Sequence, residues 1–413
     1  MAPPKPPPRD APIPTYRIDL SLPPAERYVQ LAAKFAPEMR SMTSLLDEVL
    51  QLVVPWLWLR KLIEWFASIF LRRVHSAEET EELRGISKAS GVDLYFLIAL
   101  NVLLDSLLGC TSGGVMTSLG RKGEGGKRMM HFRTLDWGMD PLRSVLVVLE
   151  FVRSESDDPE RVIGRSITYA GFVGMLTGVR KDLSVSLNFR PTHSCSTLAL
   201  RKHQVLVLFG FRPSVCSFIR DMITPSDVEQ HTNPVSLENQ VAALPKLRCP
   251  PCYLILSDGT STSVIERDLS SAEVRTDKEF IIITNNDTKS FDPDNPPESK
   301  SKKEKSSLVL DMESWIEESE ERRACVWRKW SSVKRRQEKK ILKEGASPEE
   351  LAISGWASVR EETLKNWLRA YPVMNECTHF MCIMDAQEGT VRFLERGVVI
   401  ENDMEDGSGE ELS

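Results

Sequence analysis

Residues able to do chemistry cluster at a few points along the 413-residue chain. The sharpest is Gly109-Cys110-Thr111-Ser112, followed by His131-Phe132-Arg133-Thr134-Leu135-Asp136-Trp137-Gly138. A single cysteine at a helix-to-strand junction is most often a buried structural thiol. An arginine and an aspartate nearby are what raise nucleophilic chemistry as an alternative. Arg133 and Asp136 stand three apart, which on a regular strand puts them on opposite faces. Aiming both at one site would need a turn or bulge after Arg133. Asn285, in Thr284-Asn285-Asn286-Asp287, reads by itself as a turn former at a strand end. Cys249-Pro250-Pro251-Cys252 has redox or metal-knuckle spacing and is a disulfide candidate. Cys377-Thr378-His379 with Cys382 lies in an expected strand, whose alternation puts Cys377 and His379 on one face and Cys382 on the other. Neither pair reaches the ligand count of a zinc site, so no metal is expected. Asn286-Asp287-Thr288 is a glycosylation sequon that matters only in the secretory route and reads as a chance match. Lys300 to Lys305 reads as a solvated loop.

The elements that must position these groups fall into two halves. Before Cys110 the pattern is helical: AERYVQLAAKF after Pro23-Pro24, a restart at Pro37 into MRSMTSLLDEVL, a capping box at Ser76-Ala77-Glu78-Glu79, and LYFLIALNVLLDSLL toward Gly109. Residues 49–72 are the most apolar stretch. Pro55, Arg60, Lys61 and Glu64 interrupt it short of the ~20 apolar residues a membrane span needs. Two readings stay open for it. One is a core or partner-facing helix. The other is a helix lying in a lipid interface, with Trp56, Trp58 and Trp65 at headgroup depth beside Arg60, Lys61, Arg72 and Arg73. After Cys110, segments 144–152, 166–176, 183–189, 252–258, 263–268, 279–287 and 380–386 read as strands of a mostly antiparallel sheet. Residues 313–343 read as an exposed charged helix, and no internal repeat is evident.

These residues also carry a family resemblance. CTS followed by FRTLDWG resembles the Cys-Thr-Ser and Arg-Asn-Met-Asp-Phe-Gly segments of the acid ceramidase and N-acylethanolamine acid amidase family, cysteine-type N-terminal nucleophile (Ntn) hydrolases. Residues 18–27 resemble its opening strand and Pro-Pro-x-x-Arg helix start. Gly174-Met175-Leu176-Thr177-Gly178 and Ser186-Leu187-Asn188 resemble its GMLTG and LNER segments, with Phe189-Arg190 where the family has Glu-Arg. Thr284-Asn285-Asn286-Asp287 resembles Thr-Asn-Tyr-Asp, and Tyr371-Pro372-Val373-Met374-Asn375 resembles Lys-Pro-Val-Leu-Asn. The matches run in order from residue 16 to about residue 395.

The resemblance implies self-cleavage between Gly109 and Cys110, which makes Cys110 the first residue of a new chain. An α-amino group titrates near ~7.7–8.0 and a thiol near ~8.5, so one residue would supply both nucleophile and base. By the same resemblance Asp136 would hold the Cys110 amine, Arg133 would stabilise the thiolate, and Asn285 would donate to the oxyanion. Arg322, in preference to Arg323, would be the later active-site arginine. The stretch between Cys110 and Arg133 is longer and richer in glycine than the family hairpin.

The expected fold is α+β, an Ntn-hydrolase four-layer αββα core preceded by a helical segment. Its expected parts are a Pro-rich arm at 1–15, a helical α-subunit-like region at 16–109, and a catalytic β-subunit-like region at 110–413. The last includes a mobile insert at 288–306 and an acidic tail at 401–413. The implied activity is hydrolysis of the amide of an N-acyl lipid, ceramide first, with an N-acylethanolamine or another N-acyl amide as the alternative. The alternative of another class is an uncleaved lipid-binding or interaction protein. No cofactor is implied, and the two fragments would stay associated. With 53 basic and 59 acidic residues, no global positive field argues for nucleic acid. No signal peptide is visible in MAPPKPPPRDAPIP, so a cytoplasmic or peripheral membrane location is expected. A lysosome-like compartment would follow from the family pattern.

Overall fold

The computed structural model describes residues 7–43, 56–103, 109–120, 126–225, 236–244, 248–291, 312–344 and 357–397. The first six residues of the Pro-rich arm, residues 292–306 of the expected insert with Lys300 to Lys305, and the acidic tail lie outside them.

The N-terminal half begins with β1 (Thr15–Asp19), α1 (Val29–Lys34) and α2 (Ala36–Ser41). Pro37 sits in the first turn of α2, where its missing N–H has no intrahelical partner to lose, so it restarts the helix as its position predicts. α3 (Leu57–Phe70), α4 (Ala77–Ser90) and α5 (Leu94–Leu103) follow. The Ser76 hydroxyl caps α4 by accepting from the Glu79 N–H, and Gly91 ends it in the left-handed region at φ 74°.

The strand-rich half contains β2 (Gly109–Ser118), β3 (Lys127–Asp136), β4 (Leu146–Val152), β5 (Gly164–Tyr169), β6 (Thr177–Arg180) and β7 (Leu183–Phe189). The helices α6 (Thr197–Leu208), α7 (Val215–Ile223) and α8 (Leu237–Ala243) come next, then β8 (Cys252–Ser257), β9 (Thr262–Arg267), β10 (Ala272–Asp277) and β11 (Phe280–Ile283). The chain continues with α9 (Met312–Lys343), β12 (Val359–Arg360), α10 (Glu361–Leu368), β13 (Thr378–Asp385) and β14 (Thr390–Arg396). The strand expected over 166–176 ends at Tyr169, because the chain turns at Gly171, whose φ is 96°. The one expected over 279–287 ends at Ile283, leaving Asn285 beyond it.

The strands build two sheets: β1-β4-β5-β6-β7-β8-β9-β10, and β11-β2-β3-β13-β14 with β12 beside β2. Pairing is antiparallel except for β1 with β4 and β12 with β2. The second sheet stacks on the first through β2, which lies against β7, β8 and β9. Gly114 permits that approach, since a Cβ there would lie 2.0 Å from the Thr262 hydroxyl. α7 covers β6 and β7 on the far side of one sheet, and α9 covers β2 and β11 on the far side of the other. The architecture is α+β with helix, sheet, sheet and helix in layers. The expected exposed helix at 313–343 is exposed only in part. Arg322, Arg323, Ala324, Val326 and Trp330 are buried, and Val326 and Trp330 join an apolar cluster with Phe132 and Phe280.

Candidate active site

Cys110 lies on β2 at the centre of the smaller sheet, next to Gly109 and opposite Leu135 of β3. The β2–β3 register runs unbroken from Gly109↔Asp136 to Ser118↔Lys127, so the bulge expected after Arg133 does not occur. The irregularity falls instead on β13, between Thr378 and Phe380. Arg133 and Asp136 therefore do lie on opposite faces, and Cys110 is gripped from both.

On the face toward the larger sheet, Arg133 Nη2 donates to the Cys110 sulfur at 3.3 Å and to the Leu187 carbonyl at 2.8 Å. Its Nη1 donates to the Leu176 carbonyl. Both carbonyls belong to the segments resembling GMLTG and LNER. Two in-register neighbours extend this face. The Ser112 hydroxyl donates to Asn188 Oδ1 at 2.8 Å, and His131 sits between the Ser184 and Ser186 hydroxyls at 2.9 and 2.8 Å. Burial pushes His131 down to about 3, so it stays neutral and serves packing.

On the opposite face Asp136 Oδ1 accepts from the Thr378 hydroxyl at 2.7 Å, and Oδ2 lies 3.8 Å from Arg322 Nε. Arg322 Nε also donates to the Thr111 hydroxyl at 3.2 Å, and Nη2 donates to Asn285 Oδ1 at 3.0 Å. Asn285 follows β11, the strand beside β2, which brings its Oδ1 to 2.8 Å from the Cys110 N–H. Its Nδ2 donates to the Phe189 carbonyl at 2.8 Å, and its own N–H to Ser319 of α9 at 2.7 Å. In the uncleaved chain the Cys110 nitrogen is thus engaged by Asn285, with Asp136 connected to it through Arg322. Arg323 points elsewhere, to the Asn286 and Asp287 carbonyls and over the Phe291 ring.

Cys110 is 0% exposed. Burial pushes its thiol up, opposed by the Arg133 guanidinium, and burial likewise raises the Asp136 carboxyl against the pull of Arg322. A thiol held this way keeps its proton until a base is available beside it. A side chain at Gly109 would meet the Asp136 backbone oxygen at 3.2 Å, so the residue before the cysteine has little room to be larger.

Asn188, Ser319, Thr111 and Thr378 belong to this network. Of these, Asn188 carried a signal in the sequence, as part of LNFR, and Thr111 within CTS; Ser319 and Thr378 carried none. Arg190 of that segment takes Asp287 in a two-point ion pair at 2.7 Å, and Tyr253 donates to the same carboxylate, which fixes the loop bearing Asn285. Asn286, the sequon asparagine, is buried and accepts from Thr284 and Ser319, so the packed fold has no room there for a glycan. His379 is held by the Tyr169 hydroxyl at 2.7 Å and the Trp137 carbonyl at 3.0 Å. Cys377 precedes β13, so the alternation expected over 377–382 does not apply.

The family model described as the beta subunit of N-acylethanolamine-hydrolyzing acid amidase matches residues 11–75, upstream of Cys110. Acid ceramidase of Rattus norvegicus is 27% identical over 194 residues, 43% of this chain and 46% of that protein. The N-acylethanolamine-hydrolyzing acid amidase of Caenorhabditis elegans is 27% identical over 219 residues, 50% of this chain and 56% of that one. The chain is similar to the acid ceramidases and N-acylethanolamine-hydrolyzing acid amidases. It spans about half the length of the curated relatives it matches. Among solved structures, the C. elegans N-acylethanolamine-hydrolyzing acid amidase ortholog aligns with a TM-score of 0.42 and 22% identity, covering 67% of this chain and 93% of that one.

The tryptophans proposed for lipid contact lie on or beside α3. Of that helix only Arg60 is buried, whereas Trp56, Trp58, Trp65, Phe66 and Phe70 are exposed, Trp58 at 67%. Among the described residues this helix packs little of itself into the core, which leaves a partner-facing or a lipid-facing role for it. No helix among the described residues is long and apolar enough to cross a membrane.

Proposed function

We propose that this protein is a cysteine amidohydrolase acting on the amide bond of an N-acyl lipid, with ceramide the first substrate and an N-acylethanolamine the alternative. One observation carries the reading: the sulfur and the main-chain nitrogen of a single buried cysteine are each held by a different charged or amide side chain, Arg133 and Asn285. Similarity to these relatives supports the substrate class, since they are named for ceramide and N-acylethanolamine hydrolysis.

In the proposed sequence the Cys110 sulfur attacks the Gly109 carbonyl as its proton passes to the Cys110 nitrogen, which is expelled as the amine when the C–N bond breaks and the thioester forms. The resulting thioester is hydrolysed by water, which separates 1–109 from 110–413 and leaves a free α-amine on Cys110. That amine then takes the thiol proton, the thiolate attacks the substrate amide, and the proton passes to the leaving amine. Water completes the cycle by hydrolysing the acyl-enzyme. Arg133 steadies the thiolate. Asp136, oriented by Arg322, keeps the amine in place, and Asn285 turns from the Cys110 nitrogen to the oxyanion once the chain is cut. Removal of the 109 end from β2 opens the sealed sulfur.

Several contacts would keep the fragments together. β1 pairs with β4 across the cut. Glu82 of α4, fully buried, is bound across the cut by Arg220 of α7. The exposed face of α3 would rest on the lipid surface from which a poorly soluble substrate is drawn.

The test is fatty acid release from ceramide and from an N-acylethanolamine in mixed micelles by the processed protein, with Cys110→Ser as blank. Release dependent on Cys110 is the expected result, and processed protein that cleaves neither amide would contradict the reading.

A further inference from the structure

A second group of reactive side chains gathers at the ends of β7, β8 and β9. Cys252 opens β8 and stands opposite Arg267 of β9 and Phe189 of β7. Directly opposed residues of an antiparallel pair project to the same face, so Cys252 and the Arg267 side chain lie together. Arg267 is fully buried, and its Nε donates to the Cys249 sulfur at 3.1 Å while Nη1 donates to the Leu244 carbonyl at 2.6 Å. Cys249 thus touches the guanidinium, and Cys252 stands opposite the residue that bears it. Cys249 is half-buried and reachable from solvent, whereas Cys252 is 3% exposed. Pro250 and Pro251 between them each hold φ near about −65°, so the short segment has few conformations to lose when the sulfurs are joined. Among the described residues no group of three His, Cys, Asp or Glu side chains converges, which leaves the pair short of a zinc ligand set.

We propose that Cys249 and Cys252 form a redox-active dithiol, closed to a disulfide by exchange with low-molecular-weight disulfides such as oxidised glutathione. Cys249, the accessible member on the guanidinium, attacks one glutathione sulfur as thiolate. The other glutathione leaves as thiolate and takes a proton, and a mixed disulfide remains on Cys249. Cys252 then releases its proton, attacks the Cys249 sulfur and expels the second glutathione. The two electrons given up by the pair are those that reduce the glutathione disulfide to two thiols, and excess reduced glutathione reverses the reaction. The pair adjoins the candidate active site without belonging to it: Phe189, opposite Cys252, offers its carbonyl to Asn285.

The experiment uses the full chain carrying Cys110→Ala, treated with oxidised glutathione at neutral pH and mapped by mass spectrometry without reduction. The expected result is loss of two hydrogens from the peptide holding Cys249 and Cys252, ahead of any change at Cys195, Cys325 or Cys377, the other half-buried thiols. Cys252→Ser should accumulate glutathione on Cys249, and Cys249→Ser should leave Cys252 unmodified. Adding Arg267→Met to Cys252→Ser should slow that uptake about tenfold or more. Because a methionine at this buried site can prevent folding, the pH profile of Cys249 alkylation in the Cys110→Ala chain provides a second measure. Its midpoint should fall below the ~8.5 of an ordinary thiol. The proposal is overturned if Cys249 reacts no faster than the other half-buried thiols, if wild-type Cys249 retains glutathione without closing, or if it pairs with Cys195.

Discussion

Arg322 and Arg323 are adjacent on α9, yet helical geometry turns their side chains about 100° apart, and they serve different partners. Arg322 reaches Thr111, Asn285 and Asp136, while Arg323 braces the Asn286–Asp287 backbone. Arg322→Lys should lower turnover by on the order of ten- to a hundredfold, because one ammonium cannot replace a guanidinium that spans two acceptors. Arg323→Lys should stay within a few-fold of wild type, and steady-state kinetics on the processed protein distinguishes the two. Asn285→Ala should cost about 10²–10³ in turnover; unchanged kinetics would remove Asn285 from the oxyanion role. At this scale the sequence was legible where motif order could be followed: Cys110, Arg133, Asp136, Asn285 and Arg322 all converge. What it hid was the route. The expectation of a bulge after Arg133 assumed that both side chains must share a face, whereas Arg322 arrives from a distant helix and carries Asp136 to the cysteine from the other side. Ser319 and Thr378 were invisible for the same reason, being joined to the site only by the packing of α9 and β13.

At the scale of elements, α4 and α7 meet across the proposed cut. Glu79 of α4 accepts from the Ser217 hydroxyl of α7, and burial pushes its carboxyl up to about 7. The folded protein therefore holds the Glu79 proton more tightly than the unfolded chain does. This contribution to stability is full below about pH 4.5 and is lost as the pH rises toward 7. Urea unfolding at pH 4.5 and 7 should show a fall across that window, of up to about 3 kcal/mol from this group, that is missing in Glu79→Gln. Equal falls in both proteins would assign the pH dependence to other groups. The elements that escaped the sequence reading share a physical cause. β10 and β14 are sheet edges with one polar, exposed side, so too few apolar residues mark them. The short helices α6, α7 and α8 depend on tertiary packing more than on their own pattern. β4, β7, β8 and β9, buried on both faces, were readable as apolar runs.

For the whole molecule, α3 leaves an apolar face exposed, and the residues just after it approach those just after α6. There Arg73 stacks 5.5 Å over Phe211, and Phe209 is also exposed. A patch of this kind on a surface rimmed by Lys61, Arg72 and Arg73 suits an anionic lipid interface. Trp58→Asp combined with Trp65→Asp should weaken flotation with liposomes about tenfold or more without changing thermal stability; undiminished flotation would remove the lipid role of α3. On the proposed mechanism, Cys110 is a nucleophile released by the chain itself. Intact-mass spectrometry under denaturing conditions, after incubation at neutral and acidic pH with Cys110→Ala alongside, tests it most directly. Wild type should split into 1–109 and 110–413 while the alanine variant stays whole. A wild-type chain that remains intact at both pH values, or a variant that is cut at the same bond, would contradict it.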